Sequence, residues 1–383
     1  MIIIINLYYE KVSKIIMKNY IIKDAIILNQ DFEFHRGDIK VSSGVSVDYE
    51  PSNAEIINAE NFYVVPGLID IHFHGCAGHD FCEGTPEAFK TILDYENSIG
   101  VTTICPATMT LPEEKLILIM NAAKNFPEIA GIYLEGPFIS KNKVGAQNPA
   151  YVANPDIEFL QRLQNACGNL IKIVAIAPEV EEAFSFINEA KNFTRLTLAH
   201  TACDYDTAIR AFEAGVSQVT HMFNAMPPIH HRNPGPIIAA LENKNINVEL
   251  ICDGVHIHPA IVRNTLKFFG SDRVIFISDS MEATGMKDGE YELGGLKVIK
   301  HGNLATLEDR KTIAGSVTNL FDCVRVAINK MNIPIEVAIK CASLNPARAI
   351  GLENSHGSIQ TGKVANLVLL DKYLNIKTII KCI

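Results

Sequence analysis

From Val64 onward, short apolar runs rich in β-branched residues alternate with amphipathic stretches, a pattern typical of a parallel α/β fold. Each of these apolar runs predicts a strand, and helical segments are expected in the gaps between them. About eight strand-helix units favour a TIM-type (β/α)8 barrel. The predicted strands are VVPGLIDIHFH, VTTICPATMT, IAGIYLEGPF, IKIVAIAPE, RLTLAHT, QVTHMFN, VELICDG and RVIFISDS.

Residues that typically begin and end helices support this alternation of strands and helices. A Thr-Pro-Glu run beginning at Thr85 supplies an N-cap, a proline at the first helical position and an acid in the first turn, and Gly100 ends that stretch. In the segment DYDTAIRAFEAG, Asp204 is predicted to cap the helix and Gly215 to stop it. The helices are therefore expected to lie between the strands.

The two ends of the chain have a different pattern, with short strands and turns but no helical periodicity. We expect residues 17–62 and 357–383 to form one small β-sandwich domain, and residues 63–356 to form the barrel. Residues 1–16 contain an apolar run that is too short to span a bilayer and has no signal-peptide flanks. We interpret them as a disordered leader or a mis-assigned start before Met17.

Composition and charge indicate a globular protein and argue against some classes of partner. The 383 residues are 48% hydrophobic and 20% charged, and the net charge of -9 argues against nucleic acid as a partner. No segment reads as a membrane anchor. The nine cysteines are an odd count without any C-x-x-C pair, which predicts free thiols in the reducing cytoplasm.

Polar residues stand at the ends of several apolar strands, where a TIM-type barrel carries its active site. His72 and His74 lie two apart in IDIHFHG, so a strand places both imidazoles on one face. Imidazoles and carboxylates are the ligands that divalent transition metals take, and an unpaired buried carboxylate is otherwise costly. The pattern predicts a metal site among His72, His74, Glu135, His200, His221 and Asp279.

This combination resembles the amidohydrolase superfamily, and the surrounding motifs resemble its N-acetylglucosamine-6-phosphate deacetylase family. H-x-H alone indicates only the superfamily, whereas HMFNAM followed by HHRNPG and DGVH points to the deacetylase. The resemblance covers nearly the whole chain from about Met17. Its most specific pieces are PGLIDIHFHG, YLEGPFI, GAQNP, LAHT, THMFNAMPPIHHRNPG, DGVHIHP and ISDSMEATG.

The resemblance implies roles for the predicted ligands. Glu135 would bind metal together with His200 and His221, and would bridge two ions if both are present. His72 and His74 would hold the second ion. Asp279, also at the metal, would be the general base that takes a proton from the attacking water and returns it to the leaving amine. The expected cofactor is one or two divalent ions per subunit, with zinc, iron and manganese all compatible.

The resemblance also implies a sugar-phosphate site in a homodimer. Asn224, Ala225 and His256 match positions that hold the substrate, and Gln147 matches a substrate-facing position. Arg232 matches a phosphate-binding arginine that reaches the neighbouring subunit's site. The implied reaction is hydrolysis of N-acetylglucosamine 6-phosphate to glucosamine 6-phosphate and acetate.

Three alternatives remain open at the level of sequence. The same reaction on N-acetylgalactosamine 6-phosphate is the nearest, because no residue pattern separates the two epimers. A cyclic-amide hydrolase on the same barrel is more distant, since the HMFNAM and HHRNPG motifs disfavour it. A non-catalytic scaffold predicts decay of the ligands or base, and all six are present.

Overall fold

The computed structural model describes residues 13–15 and 19–382. These residues form a mixed α/β structure. The strands are β1 (Ser13–Ile15), β2 (Tyr20–Leu28), β3 (Phe34–Ser42), β4 (Val45–Val47), β5 (Glu55–Asn58), β6 (Tyr63–Pro66), β7 (Leu68–Asp70), β8 (Gly75–Cys76), β9 (His79–Asp80), β10 (Val101–Ile104), β11 (Ile132–Leu134), β12 (Ile171–Ile176), β13 (Arg195–Leu198), β14 (Gln218–Val219), β15 (Asn247–Ile251), β16 (Val274–Ile277), β17 (Gly289–Leu293), β18 (Leu296–His301), β19 (Leu304–Leu307), β20 (Leu367–Leu370) and β21 (Ile376–Lys381).

The α-helices alternate with the middle strands and then continue after them. They are α1 (Pro86–Ser98), α2 (Glu113–Ala123), α3 (Ile157–Cys167), α4 (Ala183–Ala190), α5 (Tyr205–Ala214), α6 (Gly235–Glu242), α7 (Pro259–Phe269), α8 (Leu320–Asn329), α9 (Ile335–Cys341) and α10 (Leu344–Ala349). Two short 3-10 turns lie at Phe81–Glu83 and Pro149–Tyr151. In the described part of the chain, none of the helices has the length and apolarity needed to cross a bilayer.

The middle strands form a curled parallel sheet. Strands β11 to β16 pair in sequence order, and β7 pairs with β10. Parallel bridges Ile104↔Ile129 and Ala107↔Tyr133 connect β10 to the β11 side. The segments that follow β7 and β16 also meet. The backbone N–H of Asp279 donates to the carbonyl of His72 at 2.9 Å.

The local sequence signals agree with these elements. Each of the eight predicted runs overlaps one of the parallel strands, and every one of these strands is shorter than its run. The hydroxyl of Thr85 accepts the backbone N–H of Ala88 at 3.2 Å, and Asp204 caps α5 through Thr207 N–H at 2.8 Å. The predicted helix starts are therefore confirmed.

A second sheet joins the two ends of the chain. Its order is β1-β21-β20-β6-β2-β3-β4, with β5 pairing alongside β2. Most of the predicted leader, residues 1–16, lies outside the described residues, but Ser13–Ile15 within it pair in parallel with Ile379–Lys381. An antiparallel unit of β17, β18 and β19 follows β16 and was not anticipated from the sequence.

Apolar packing separates the inside of the curled sheet from its outside. Helices and sheet enclose the largest apolar cluster, while a second cluster lies within the curl and includes Ile71, Tyr133, Ile173 and Ile275. The terminal sheet buries its own apolar cluster around Ile22. Polar side chains that point into the interior of the curled sheet are therefore surrounded by apolar groups. An unpaired charge buried there is costly.

Candidate active site

Six predicted site residues lie just beyond the carboxyl ends of parallel strands. Glu135 follows β11, His200 follows β13 by one residue and Asp279 follows β16 by one residue. Strand β7 ends at Asp70, so His72 and His74 lie beyond it rather than on it as the sequence suggested. All six side chains are nevertheless buried and directed to one place, and the six are His72, His74, Glu135, His200, His221 and Asp279.

Two of these positions depend on unusual local backbone. The ideal Cβ of an alanine at position 75 would lie 2.1 Å from the carbonyl oxygen of His79, so only Gly75 fits the turn after His74. His200 and Asp279 have left-handed φ angles of 42° and 51°. Non-glycine residues in this region are uncommon and concentrate at functional sites. The turn and these angles direct the side chains toward the centre of the curl.

Glu135 is the centre of the cluster. Its Oε1 lies 3.1 Å from Nε2 of both His200 and His221 and 3.4 Å from Nε2 of His72. Its Oε2 lies 3.2 Å from Nε2 of His74. One carboxylate thus reaches two groups of imidazoles, which are His72 with His74 and His200 with His221.

A hydrogen bond determines how His200 faces Glu135. Nδ1 of His200 donates to the carbonyl of Lys143 at 2.9 Å, because a carbonyl can only accept. A neutral His200 therefore presents its Nε2 lone pair to a carboxylate oxygen, and Nε2 of His221 lies only 3.2 Å away. A divalent cation is the group that satisfies such converging lone pairs. The residues present therefore fit a metal site.

Asp279 is adjacent to this cluster. Its Oδ1 lies 3.3 Å from Nε2 of His74 and 3.8 Å from Nε2 of His72. Burial raises the pKa of Asp279, but the hydrogen bond to His74 and the charges of the imidazoles lower it overall. The carboxylate is consequently ionised and able to accept a proton.

Charge also stabilises Glu135 itself. Burial raises the pKa of this carboxyl, while the neighbouring His72, His200 and His221 lower it well below its ordinary range. Burial lowers the pKa of His74, but hydrogen bonds to Asp279 and Glu135 raise it to about 10. The two carboxylates therefore require positive charge beside them, and a divalent cation held by neutral imidazoles would supply it.

A cavity of about 230 Å³ opens above the cluster. It is lined by nine of the eleven predicted site residues, which are His74, Glu135, Gln147, His200, His221, Asn224, Ala225, His256 and Asp279. His72 lies beneath the cavity and is fully buried. Arg232 is exposed and does not line it, and its Nη1 contacts Nε2 of His231 at 2.7 Å.

Two lining residues have partners that sequence could not assign. The amide of Gln147 donates to Oε2 of Glu135 at 2.8 Å and accepts the backbone N–H of Thr110 at 2.7 Å. Nδ1 of His256 bonds Oδ2 of Asp253 at 2.7 Å. Burial lowers the pKa of His256, but the hydrogen bond to Asp253 and the charge of that carboxylate raise it overall.

Sequence reasoning missed Glu249 and Gln218, which lie behind the cluster. Both are buried strand residues, and Glu249 contacts His72 directly. The available signal was a carboxylate or amide inside an otherwise apolar strand, as in VELICDG. That signal identifies a buried polar group but does not identify its partner.

Comparison with known proteins agrees with the geometry. Residues 63–382 match the model described as the amidohydrolase family. The chain is 34% identical over 374 residues to the N-acetylglucosamine-6-phosphate deacetylase of Bacillus subtilis strain 168, covering 92% of this chain and 93% of that protein. It is 32% identical over 352 residues to the N-acetylgalactosamine-6-phosphate deacetylase of Escherichia coli O157:H7, covering 89% and 92%.

Solved structures give a matching result. A mutant N-acetyl-D-glucosamine-6-phosphate deacetylase from Mycobacterium smegmatis, in complex with N-acetyl-D-glucosamine 6-phosphate, superposes with a TM-score of 0.89 at 32% identity. The match covers 95% of this chain and 98% of that one. The corresponding enzyme from Thermotoga maritima gives a TM-score of 0.85 at 30% identity, covering 94% and 98%.

Proposed function

The chain belongs to the amidohydrolase family, and on that premise we propose that it hydrolyses the acetamide of N-acetylglucosamine 6-phosphate to glucosamine 6-phosphate and acetate. The observation that carries this proposal is the convergence of four imidazoles on Glu135, with the ionised Asp279 beside them. Relatives named for this reaction match nearly the whole chain.

The proposed metal ligands divide into two groups that share Glu135. His200 and His221 would hold one ion, and His72 and His74 the other. A divalent ion bound there supplies a Lewis acid that polarises the acetamide carbonyl and makes water a stronger acid. The ligand types are compatible with zinc, iron and manganese.

Asp279 performs the proton transfers in this proposal. Its lowered pKa keeps the carboxylate ready to accept a proton from the attacking water. The same carboxyl then donates that proton to the leaving nitrogen, because an amine departs readily only after protonation. One residue can act twice, because the proton that it accepts from water is the proton that it gives to the amine.

The remaining lining residues bind the sugar phosphate. His256, whose pKa is raised by its contact with Asp253, would donate to the phosphate, and Asn224 and Ala225 line the same cavity. Arg232 would act in the active site of the second subunit of a homodimer. Arg232 is exposed and is not among the residues that line its own cavity, which is compatible with that arrangement.

We also propose the domain division that this function implies. Residues 63–356 would form a closed (β/α)8 barrel, supported by the bonds between the two margins of the curled sheet. Residues 17–62 and 357–383 would form the smaller β-domain, supported by their shared sheet, although β6 at the start of the barrel range also pairs in that sheet. The nine cysteines, buried as free thiols, support a cytoplasmic location.

The test is steady-state kinetics of acetate release from both epimeric sugar phosphates and from unphosphorylated N-acetylglucosamine. Metal-stripped protein should be inactive, and added zinc, iron or manganese should restore turnover. A higher kcat/KM for the galacto epimer would transfer the assignment to the alternative substrate. Full turnover by demonstrably metal-free protein would refute the mechanism.

A further inference from the structure

Glu249 is a fully buried carboxylate within strand β15, where its neighbours along the strand are apolar. It lies inside the curled sheet and does not line the cavity above the cluster. A buried charge is costly unless it is paired and hydrogen-bonded. The contacts of Glu249 therefore indicate what offsets this cost.

Its carboxylate binds two of the proposed ligand residues from behind. Oε2 accepts a hydrogen bond from Nδ1 of His72 at 2.9 Å and from the backbone N–H of His221 at 3.2 Å. Oε1 accepts from the amide nitrogen of Gln218. Every described hydrogen bond of the carboxylate is thus to a proposed ligand residue or to Gln218.

Gln218 connects this carboxylate to a cation on the other side. Its Oε1 accepts from Nε of Arg195 at 2.8 Å, and Arg195 also bonds the side chain of Asn247. The two neighbours determine the orientation of the Gln218 amide, because its nitrogen faces an acceptor and its oxygen faces a donor. A hydrogen-bonded chain therefore runs from the half-buried Arg195 through the buried Gln218 and Glu249 to His72.

This chain determines the tautomer of His72. A carboxylate only accepts, so the proton of a neutral His72 lies on Nδ1 and the lone pair lies on Nε2. Nε2 is buried without a hydrogen-bond partner and lies 3.4 Å from Oε1 of Glu135. A histidine that ligates a metal commonly donates its other ring nitrogen to a carboxylate in this manner.

We infer that Glu249 is a positioning residue that holds His72 in the orientation and tautomer needed to bind the second metal ion, and that Gln218 and Arg195 hold Glu249. This inference rests on the metal site proposed above. The inference adds that the affinity for the second ion depends on Glu249, a residue that would contact neither the substrate nor the metal.

The test measures metal binding instead of turnover alone. Wild-type protein and the variants Glu249→Gln and Glu249→Asp are stripped with a chelator and titrated with zinc against a competing chromophoric chelator. Glu96→Gln is the matched control, because Glu96 is also a buried carboxyl but interacts with Cys76 and Asp70 instead of with the proposed ligands. The melting temperature of each stripped protein is measured in parallel.

Wild-type protein and Glu96→Gln should bind two equivalents of zinc. Glu249→Gln should retain the first equivalent and bind the second about 10- to 100-fold more weakly. Glu249→Asp keeps the charge but withdraws the carboxylate from His72, so it should weaken the same equivalent. The stripped variants should still melt cooperatively.

Several results would overturn the inference. If Glu249→Gln binds both zinc equivalents with wild-type affinity, Glu249 does not position His72. If both equivalents bind equally more weakly, Glu249 has a general structural role. A wild-type protein that binds only one ion would also refute it, while leaving a one-metal deacetylase intact. If the variants do not fold, NMR of zinc-loaded, ¹⁵N-histidine-labelled wild-type protein decides, since a His72 protonated on Nε2 contradicts it.

Discussion

Replacing Asp279 by asparagine isolates its proposed role as proton acceptor. Its φ of 51° is left-handed, a conformation that asparagine tolerates better than most residues. The neighbouring hydrogen bonds use its backbone, with its N–H donating to His72 at 2.9 Å and its carbonyl accepting from Ser316 at 2.6 Å. The variant should therefore fold, and only the carboxylate is lost.

The expected size of the effect follows from the two proton transfers assigned to this carboxylate. General acid-base catalysis contributes about 10²- to 10⁴-fold, which corresponds to about 2.7–5.4 kcal/mol of activation free energy. An amide cannot accept the proton from water. We expect kcat to fall by about two orders of magnitude or more, with KM changing little.

The assay follows acetate release from N-acetylglucosamine 6-phosphate, with bound metal measured in the same preparations. Metal analysis is needed because Asp279 lies within 4 Å of His72 and His74 and was also predicted as a ligand. A matched control is Asp24→Asn, since Asp24 is exposed in the terminal sheet and also has a left-handed φ of 59°. That variant should retain the wild-type kcat.

A nearly wild-type rate in Asp279→Asn with full metal content would refute the reasoning, and the proton transfers would belong to another group. Loss of metal in proportion to loss of activity would instead assign Asp279 as a ligand. Only a slow variant that keeps its metal supports the assignment of Asp279 as the base.

Three further predictions test other parts of the structure. Glu135→Ala should lose bound metal, because Oε1 of Glu135 lies 3.1 Å from two imidazoles; elemental analysis of the folded variant checks this. Arg232→Ala should lower kcat/KM on the phosphorylated sugar by roughly ten- to a hundredfold, since a charge-assisted phosphate contact is worth about 1.5–3 kcal/mol. Unphosphorylated sugar should be indifferent to that change, and mixing Arg232→Ala with Asp279→Asn should restore activity in hybrid dimers; no recovery despite proven subunit exchange would place Arg232 within its own subunit. Thr85→Ala should cost about 0.5–2 kcal/mol of unfolding free energy through the lost cap on Ala88 N–H without altering kcat, as measured by denaturant titration; an unchanged free energy of unfolding would contradict that role.

Local patterns predicted the elements that depend on neighbours in the chain. The caps at Thr85 and Asp204 were predictable because their acceptors and donors lie within three residues. The convergence of Glu135, His200 and Asp279 was also predictable, because parallel strands all end at the same edge of the sheet. The predicted strands were longer than the observed ones. Apolar residues continue along the chain after the last hydrogen bond between neighbouring strands, so the apolar run does not show where the strand ends.

The sequence by itself determined which chemical groups reach the candidate site, because strand-end position follows from the order of apolar runs. Only the tertiary structure decided which atoms face each other. His72 and Glu249 are 177 positions apart, and their hydrogen bond exists because the fold brings the segment that follows β7 against β15. No local period encodes such a pair, since the fold selects it through packing across the interior.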